Sequence, residues 1–234
     1  MSNEPNANDA SLRLGYDWGT EAERDPLERL RAEIFFSLDL FERVSLEQFA
    51  LPAASSSGQE HAVFIMTEGH FVRRVIKVTQ DDTPGVVLKV SYDWDKVSQN
   101  YLQSLRVRKA FPSEYLQRIH RQNQTFNDDI EVLGVIVSED SIQFVTSQTF
   151  RRGTHPSDAD IVKMMTHDGF AHVPPELIQN RYLCNYSFYR EADNLLVSDA
   201  KGSNFIKSED GVVRPIDVIC QRPDTAFRKV LLGN

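Results

Sequence analysis

Leu195–Ile206 reads LLVSDAKGSNFI: an apolar run that stops at an aspartate, turns through Lys-Gly-Ser, and resumes after an asparagine. Leu195, Leu196 and Val197 predict a buried strand, Gly202 permits a tight turn, and Phe205-Ile206 predict a second short strand. A loop held from both sides fixes the directions of its side chains, which makes Asp199, Lys201 and Asn204 candidate functional groups. The spacing alone carries little, because Asp95-Lys-Val-Ser-Gln-Asn100 repeats Asp-x-x-x-x-Asn in a segment that reads as helical. The setting carries more. Thirteen residues after Asn204, Asp217 stands between Pro215-Ile216 and Val218-Ile219, and a carboxylate in so apolar a run needs a partner. The bland alternative is an Asx turn in a hairpin, with Asp217 capping a nearby backbone amide.

Outward from this stretch, the chain alternates between two periods. Residues 1–24 are rich in Asn, Ser, Asp and Glu and predict a mobile tail, pinned at most by Tyr16 and Trp18. Residues 25–50 hold an N-terminal helix: Asp25 as N-cap, Pro26 at the first position, Glu28 completing a capping box, and Leu27, Leu30, Ile34, Leu38 and Phe41 at helical spacing. After the polar linker LPAASSSG, strand-type runs follow at 61–66, 71–79 and 85–92, with Thr67–His70 as a hairpin turn. From Trp94 the positions Val97, Tyr101 and Leu105 predict a helix, and Pro112-Ser113-Glu114 opens another that carries Leu116 and Ile119. Runs at 130–137 and 141–150 read as an antiparallel pair. A helix capped by Ser157 or Asp158 follows, with Ile161, Met164 and Met165 as its apolar positions, and then an unassigned aromatic stretch from Val173 to Tyr189. The outline is α+β: a strand-rich part over 51–150 and a smaller, mainly helical part over 151–234.

Composition narrows the function classes. The chain has 234 residues, 41% of them hydrophobic, enough to bury a sizeable core. A net charge of −8 argues against a sequence-independent nucleic-acid binder, whose affinity would come from clustered Lys and Arg. Cys184 and Cys220 lie in unrelated contexts, which predicts buried thiols in a reducing compartment and neither a disulfide nor a zinc site. No run approaches the length needed to span a bilayer, and the polar N-terminus lacks a signal core, so the expectation is a soluble, cytoplasmic protein. The six histidines show no metal-ligand spacing, and there is no G-x-S-x-G elbow.

The acidic pair suits magnesium, which takes oxygen ligands and is usually held by one or two protein groups together with substrate phosphates. Asn204 and Asp217 would be those groups. Asp199, off the metal, can accept a hydrogen bond from an attacking hydroxyl, and Lys201 can offset charge on a phosphoryl group in transfer.

On these residues the sequence resembles the protein-kinase-like fold: DAKGSN has the form of a kinase catalytic loop, and IDVIC stands where a metal-binding Asp-Phe-Gly would be. The nearest likeness is to the small kinase-like domain of the polyvalent proteins of phages and conjugative elements. Matching stretches are EHAVF at 60–64, RVIKVT at 74–79, PSEYLQRI at 112–119, QTFNDDIEVLGVI at 124–136, VTSQTF at 145–150, DAKGSNFI and DGVVRPID, spanning about residues 58–223. The resemblance implies a bilobal fold with an antiparallel-sheet N-lobe and a reduced, mainly helical C-lobe, binding ATP and Mg²⁺. It assigns Lys77 to the nucleotide phosphates, with Lys89 as rival, and puts Gly58 in the place of the phosphate loop. Glu114 would be the partner of Lys77, and Gln148 would lie at the hinge that meets adenine.

The sequence also departs from that pattern. The phosphate loop has the single glycine Gly58, no His-Arg precedes Asp199, and Phe-Gly is missing after Asp217. Seventeen residues follow Asp217, too few for the peptide-binding helices of ordinary protein kinases. The reading is therefore an ATP- and Mg²⁺-dependent phosphotransferase with an unidentified hydroxyl-bearing acceptor. The alternatives are a catalytically inactive nucleotide-binding module, or a scaffold that engages a partner through the N-terminal helix and residues 182–189.

Overall fold

Short β-branched and aromatic runs punctuated by Gly, Asn and Asp favour strands, and strands dominate the computed structural model of this chain. It describes residues 33–34, 37–49, 56–57, 60–68, 71–81, 84–97, 99–138, 141–178, 183 and 186–233. The tail over 1–24, the start of the N-terminal helix, the Thr67–His70 turn beyond Glu68, Gly58 and Cys184 lie outside these residues. Residues 33–34 and 37–40 are helical. The chain divides into two compact units: one formed by residues up to Val86 with Lys109–Phe150, the other by Val87–Arg108 with the residues from Arg151 onward.

The first unit is built on a five-stranded antiparallel sheet in the order β1 (Ser56–Ser57), β2 (His61–Glu68), β3 (Phe71–Thr79), β7 (Ile142–Thr149), β6 (Glu131–Val137). Side chains of β7, an interior strand between β3 and β6, serve both faces of the sheet. Ile142 and Phe144 face helix α1 (Pro112–Phe126), packing with Tyr115, Leu116, Ile119 and Phe41, while Val145 joins Phe64, Ile76 and Val78 on the other side. Helix α1 starts where Pro112 has no N–H to leave unsatisfied. Two acids complete the start: Glu114 accepts from the Phe111 N–H at 2.8 Å, and the fully buried Glu33 accepts from the Ser113 N–H at 2.9 Å. Residues 42–44 lie directly against β6, where a Cβ on Gly134 would stand 2.6 Å from Val44 Cγ1, so glycine is required at its φ of 158°. A largely buried ion pair, Arg118 to Glu60 at 2.8 Å, is completed by the Val86 N–H, which donates to the other Glu60 oxygen at 2.9 Å.

The second unit holds three small sheets. β4 (Val86–Asp95) and β5 (Asn100–Lys109) form a hairpin, β13 (Ile219–Gln221), β10 (Leu195–Ser198), β9 (Phe188–Arg190) and β8 (Ala171–His172) form a four-stranded sheet, and β11 (Phe205–Lys207) pairs with β12 (Val213–Pro215). Two helices accompany them: α2 (Asp158–His167), capped by Ser157, and α3 (Thr225–Leu232), capped by Asp224. The core joins Leu88 and Leu105 of the hairpin to Leu196, Tyr189, Phe227 and Val230, each apolar side chain contributing about 1.5–3 kcal/mol on burial. Gln221 fastens β4 from the side: its amide accepts from the Leu88 N–H at 2.8 Å and donates to the Leu88 carbonyl at 2.9 Å, as a neighbouring strand would.

This architecture corrects the expected fold class. The bilobal kinase-like fold with a mainly helical second part is not what forms: the described residues hold thirteen strands in four small sheets, and among the described residues of the second unit only α2 and α3 are helices of more than one turn. Between residues 188 and 221 the strands are three or four residues long between turns, a length too short to sustain a helix but enough for a strand. The helix expected from Trp94 is likewise the end of strand β4, a turn that holds Val97, and strand β5. Val97, Tyr101 and Leu105 recur every four residues, a spacing that keeps side chains on one face of a strand as well as of a helix. Asp95 and Asn100 therefore flank a hairpin turn instead of sharing a helix.

Candidate functional site

Strand β10 is buried along its whole length, and the chain leaves it at Asp199 in the left-handed region, φ 55°. Such a conformation is tolerated by Asp when local hydrogen bonds hold it. Here the Ala200 N–H donates to the Tyr186 carbonyl at 2.9 Å, and a single 3-10 turn, Gly202–Asn204, brings the chain back so that Asn204 faces Asp199. The Asn204 amide donates to the Asp199 main-chain oxygen and to its Oδ2, both at 2.7 Å. Lys201 adds an ion pair to Oδ1 at 3.0 Å. No described residue donates a hydrogen bond to Asn204 Oδ1.

Asp217 reaches the same place through the backbone. After β12 the Ile216 N–H donates to the Asn204 carbonyl at 2.8 Å, and the Asp217 N–H shares that oxygen at 3.4 Å. Strand β13 then pairs with β10, Ser198 opposite Ile219, so Asp199 and Asp217 mark the same end of one strand pair. Burial pushes the Asp199 carboxyl above the usual carboxylate range, against the opposing pull of Lys201 and Asn204, and the nearby Asp217 charge adds to the upward push.

The structure thus brings together Asp199, Lys201, Asn204 and Asp217, all in the second unit. Lys77, Glu114 and Gln148 belong to the first. Lys77 is a buried position of β3, between Val63 of β2 and Thr146 of β7. Its rival Lys89 is an exposed position of β4. Glu114 binds the Phe111 N–H at the start of α1. Gln148 is 3% exposed, paired opposite Val75, and its amide donates to Asp128 at 2.6 Å, an arrangement that braces the turn after α1.

Sequence reasoning missed two neighbours of the acidic cluster. The Ser198 hydroxyl is fully buried with no hydrogen-bond partner among the described residues. His155 is bonded to the main chain beside Asn204, through Nδ1 to the Phe205 carbonyl at 3.1 Å. The signal for His155 was present in Gly153 and Gly202, whose missing side chains allow two backbone segments to touch. Comparison of the chain with protein-family models, with curated proteins and with solved structures gives no match. Among the described residues, no helix is long and apolar enough to cross a membrane.

Proposed function

We propose that Asp199, Lys201, Asn204 and Asp217 form the centre of an ATP- and Mg²⁺-dependent phosphotransferase acting on a hydroxyl-bearing acceptor. The observation that supports it most is the division of labour in Asn204: its side-chain N–H groups are turned onto Asp199, its main-chain carbonyl holds the Ile216 and Asp217 N–H groups, and no described residue donates to its side-chain oxygen. One carboxamide oxygen and one carboxylate suit a hard divalent cation that keeps several waters, so Asn204 Oδ1 and Asp217 would hold Mg²⁺. When bound, the metal neutralises charge on the phosphates of ATP.

The remaining work belongs to the chain. Asp199, held by the Asn204 amide and by Lys201, accepts the proton of the acceptor hydroxyl as the hydroxyl oxygen bonds to the γ-phosphorus and the bond to ADP breaks. A carboxyl raised above its ordinary range is a stronger base for that proton than an exposed aspartate. Lys201, held on Asp199, supplies positive charge beside the transferring group.

Incubation with radiolabelled ATP, MgCl₂ and a panel of hydroxyl acceptors tests the reading, with loss of transfer expected in Asp199→Asn and in Asp217→Asn while circular dichroism stays native. Undiminished transfer in Asp199→Asn would sink it. Magnesium-dependent ATP binding without turnover would instead identify a nucleotide-binding module, and thermal stability indifferent to ATP and Mg²⁺ would identify a scaffold.

A further inference from the structure

Residues 153–157 run alongside the turn that carries Asn204, and four contacts hold them there. Thr154 and Lys207 exchange backbone hydrogen bonds in both directions, at 3.0 and 2.8 Å. Gly153 lies so close to this stretch that a Cβ would overlap the Lys207 carbonyl and stand 2.7 Å from Ile206 Cγ2. At the other end, a Cβ on Gly202 would come within 3.0 Å of the Pro156 carbonyl. Between these contacts, His155 Nδ1 lies 3.1 Å from the Phe205 carbonyl. A carbonyl can only accept, so Nδ1 carries the hydrogen.

Phe205 is the residue directly after Asn204, so a group that holds the Phe205 carbonyl restrains the backbone just as it leaves Asn204. The main-chain N–H and C=O of Asn204 are fixed by Lys201 and by Ile216 with Asp217, but the next carbonyl along is held only through His155 among the described side chains. Helix α2 makes this hold firm: Ser157 caps it, and Asp160 of the same helix pairs with Lys207 at 2.8 Å.

We propose that His155 is a positioning residue for Asn204, an outer support that, by restraining the backbone after it, keeps its carboxamide in place on Asp199. The proposal rests on the phosphotransferase reading for its consequence, and on the structure alone for its geometry. Outer supports of this kind typically change metal affinity about 10-fold or more when removed.

Two readouts separate the two ideas. In the first, the Asn204 side-chain amide is followed by ¹H–¹⁵N NMR, its resonance assigned by its loss in Asn204→Asp. His155→Leu fills the same space without a donor and is expected to shift that resonance and speed its exchange with solvent. His155→Asn, whose amide can stand in for Nδ1, is expected to restore both. Exposed His155 contributes little core, and should His155→Leu unfold, His155→Ser provides the same comparison. An Asn204 amide unmoved in the Leu or Ser variant overturns the proposal, whether or not the protein transfers phosphate. In the second, the half-saturating Mg²⁺ concentration for phosphoryl transfer is expected to rise about 10-fold in His155→Leu and recover in His155→Asn, with the KM for ATP unchanged. Equal loss in the Leu and Asn variants would reduce His155 to a structural residue. A wild-type protein without transfer would remove the phosphotransferase reading and leave the amide measurement to decide the role of His155.

Discussion

Asn204 donates both of its side-chain hydrogens to Asp199, one to the carboxylate and one to the main-chain carbonyl, each at 2.7 Å. One side chain therefore fixes both the orientation of the acid and the left-handed backbone that presents it. Asn204→Ala removes both donors and is expected to cost about 1–3 kcal/mol in urea unfolding, in addition to abolishing transfer. Asn204→Asp keeps the shape but sets a second carboxylate against the first, and its unfolding midpoint at pH 7 should fall further than that of the Ala variant. A midpoint equal to wild type in both would mean that the bonds contribute nothing to the fold.

Two aspartates give opposite pH signatures. Asp199 has a folded pKa above its ordinary value of 3.8, raised chiefly by burial. Its contribution to stability is thus full below that value and is lost as pH rises through the folded pKa. Asp160 is lowered from 3.8 to about 2, chiefly by its hydrogen bond with Lys207 and then by those with Ser157. Its contribution is present above 3.8 and disappears as pH falls through about 2. Unfolding free energy measured across acid pH should accordingly lose part of its low-pH decline in Asp160→Asn, and in Asp199→Asn lose part of the destabilisation that sets in above pH 3.8. Transfer activity should rise with pH along a limb controlled by Asp199, with a midpoint above that of an exposed aspartate.

Ser198 carries a buried hydroxyl without a partner among the described residues, directly before the Asp199–Asn204 turn and opposite Ile219. Ser198→Ala removes a polar group whose desolvation nothing offsets, so thermal and urea unfolding should show a gain of up to about 1 kcal/mol. A loss of similar size would show that the hydroxyl is bonded in solution.

Gly153→Ala should be severe. The position has φ 154°, and any Cβ there collides with the Lys207 carbonyl and Ile206. A loss of about 2–4 kcal/mol is expected, the range in which backbone strain and forced displacement dominate. Because the same contact holds residues 153–157 beside Asn204, the Mg²⁺ requirement for transfer should rise with it; a stable variant with wild-type magnesium dependence would contradict both expectations.

Much of the first unit was legible because its strands are short apolar runs bounded by turn residues; in β7, Ile142 and Phe144 serve one core cluster and Val145 the other. Helix α1 announced itself through Pro112 and Glu114, and both act at its N-terminus. The error over 97–105 came from a spacing of four, which satisfies the helical and the strand period alike; only residues between those positions distinguish them. The second unit was misjudged because its order comes from contacts distant in sequence. Gln221 pairing with Leu88 joins residues 133 positions apart, and no local pattern reveals a side chain that behaves as a strand. At the site, Asp199, Lys201 and Asn204 were legible because a turn brings them together locally. Gln148 reads as a hinge polar residue in one dimension, while in space its amide is committed to Asp128.

The second unit is assembled from two stretches of chain separated by the residues that complete the first unit. During synthesis, the hairpin of β4 and β5 leaves the ribosome well before Leu196, Phe227 and Val230, the residues that cover Leu88 and Leu105. For the time taken to make roughly a hundred further residues, some seconds at ordinary translation rates, a greasy two-stranded ribbon waits without its partners. Nascent chains stalled between the two stretches are therefore the form of this protein most prone to clump or to recruit a chaperone.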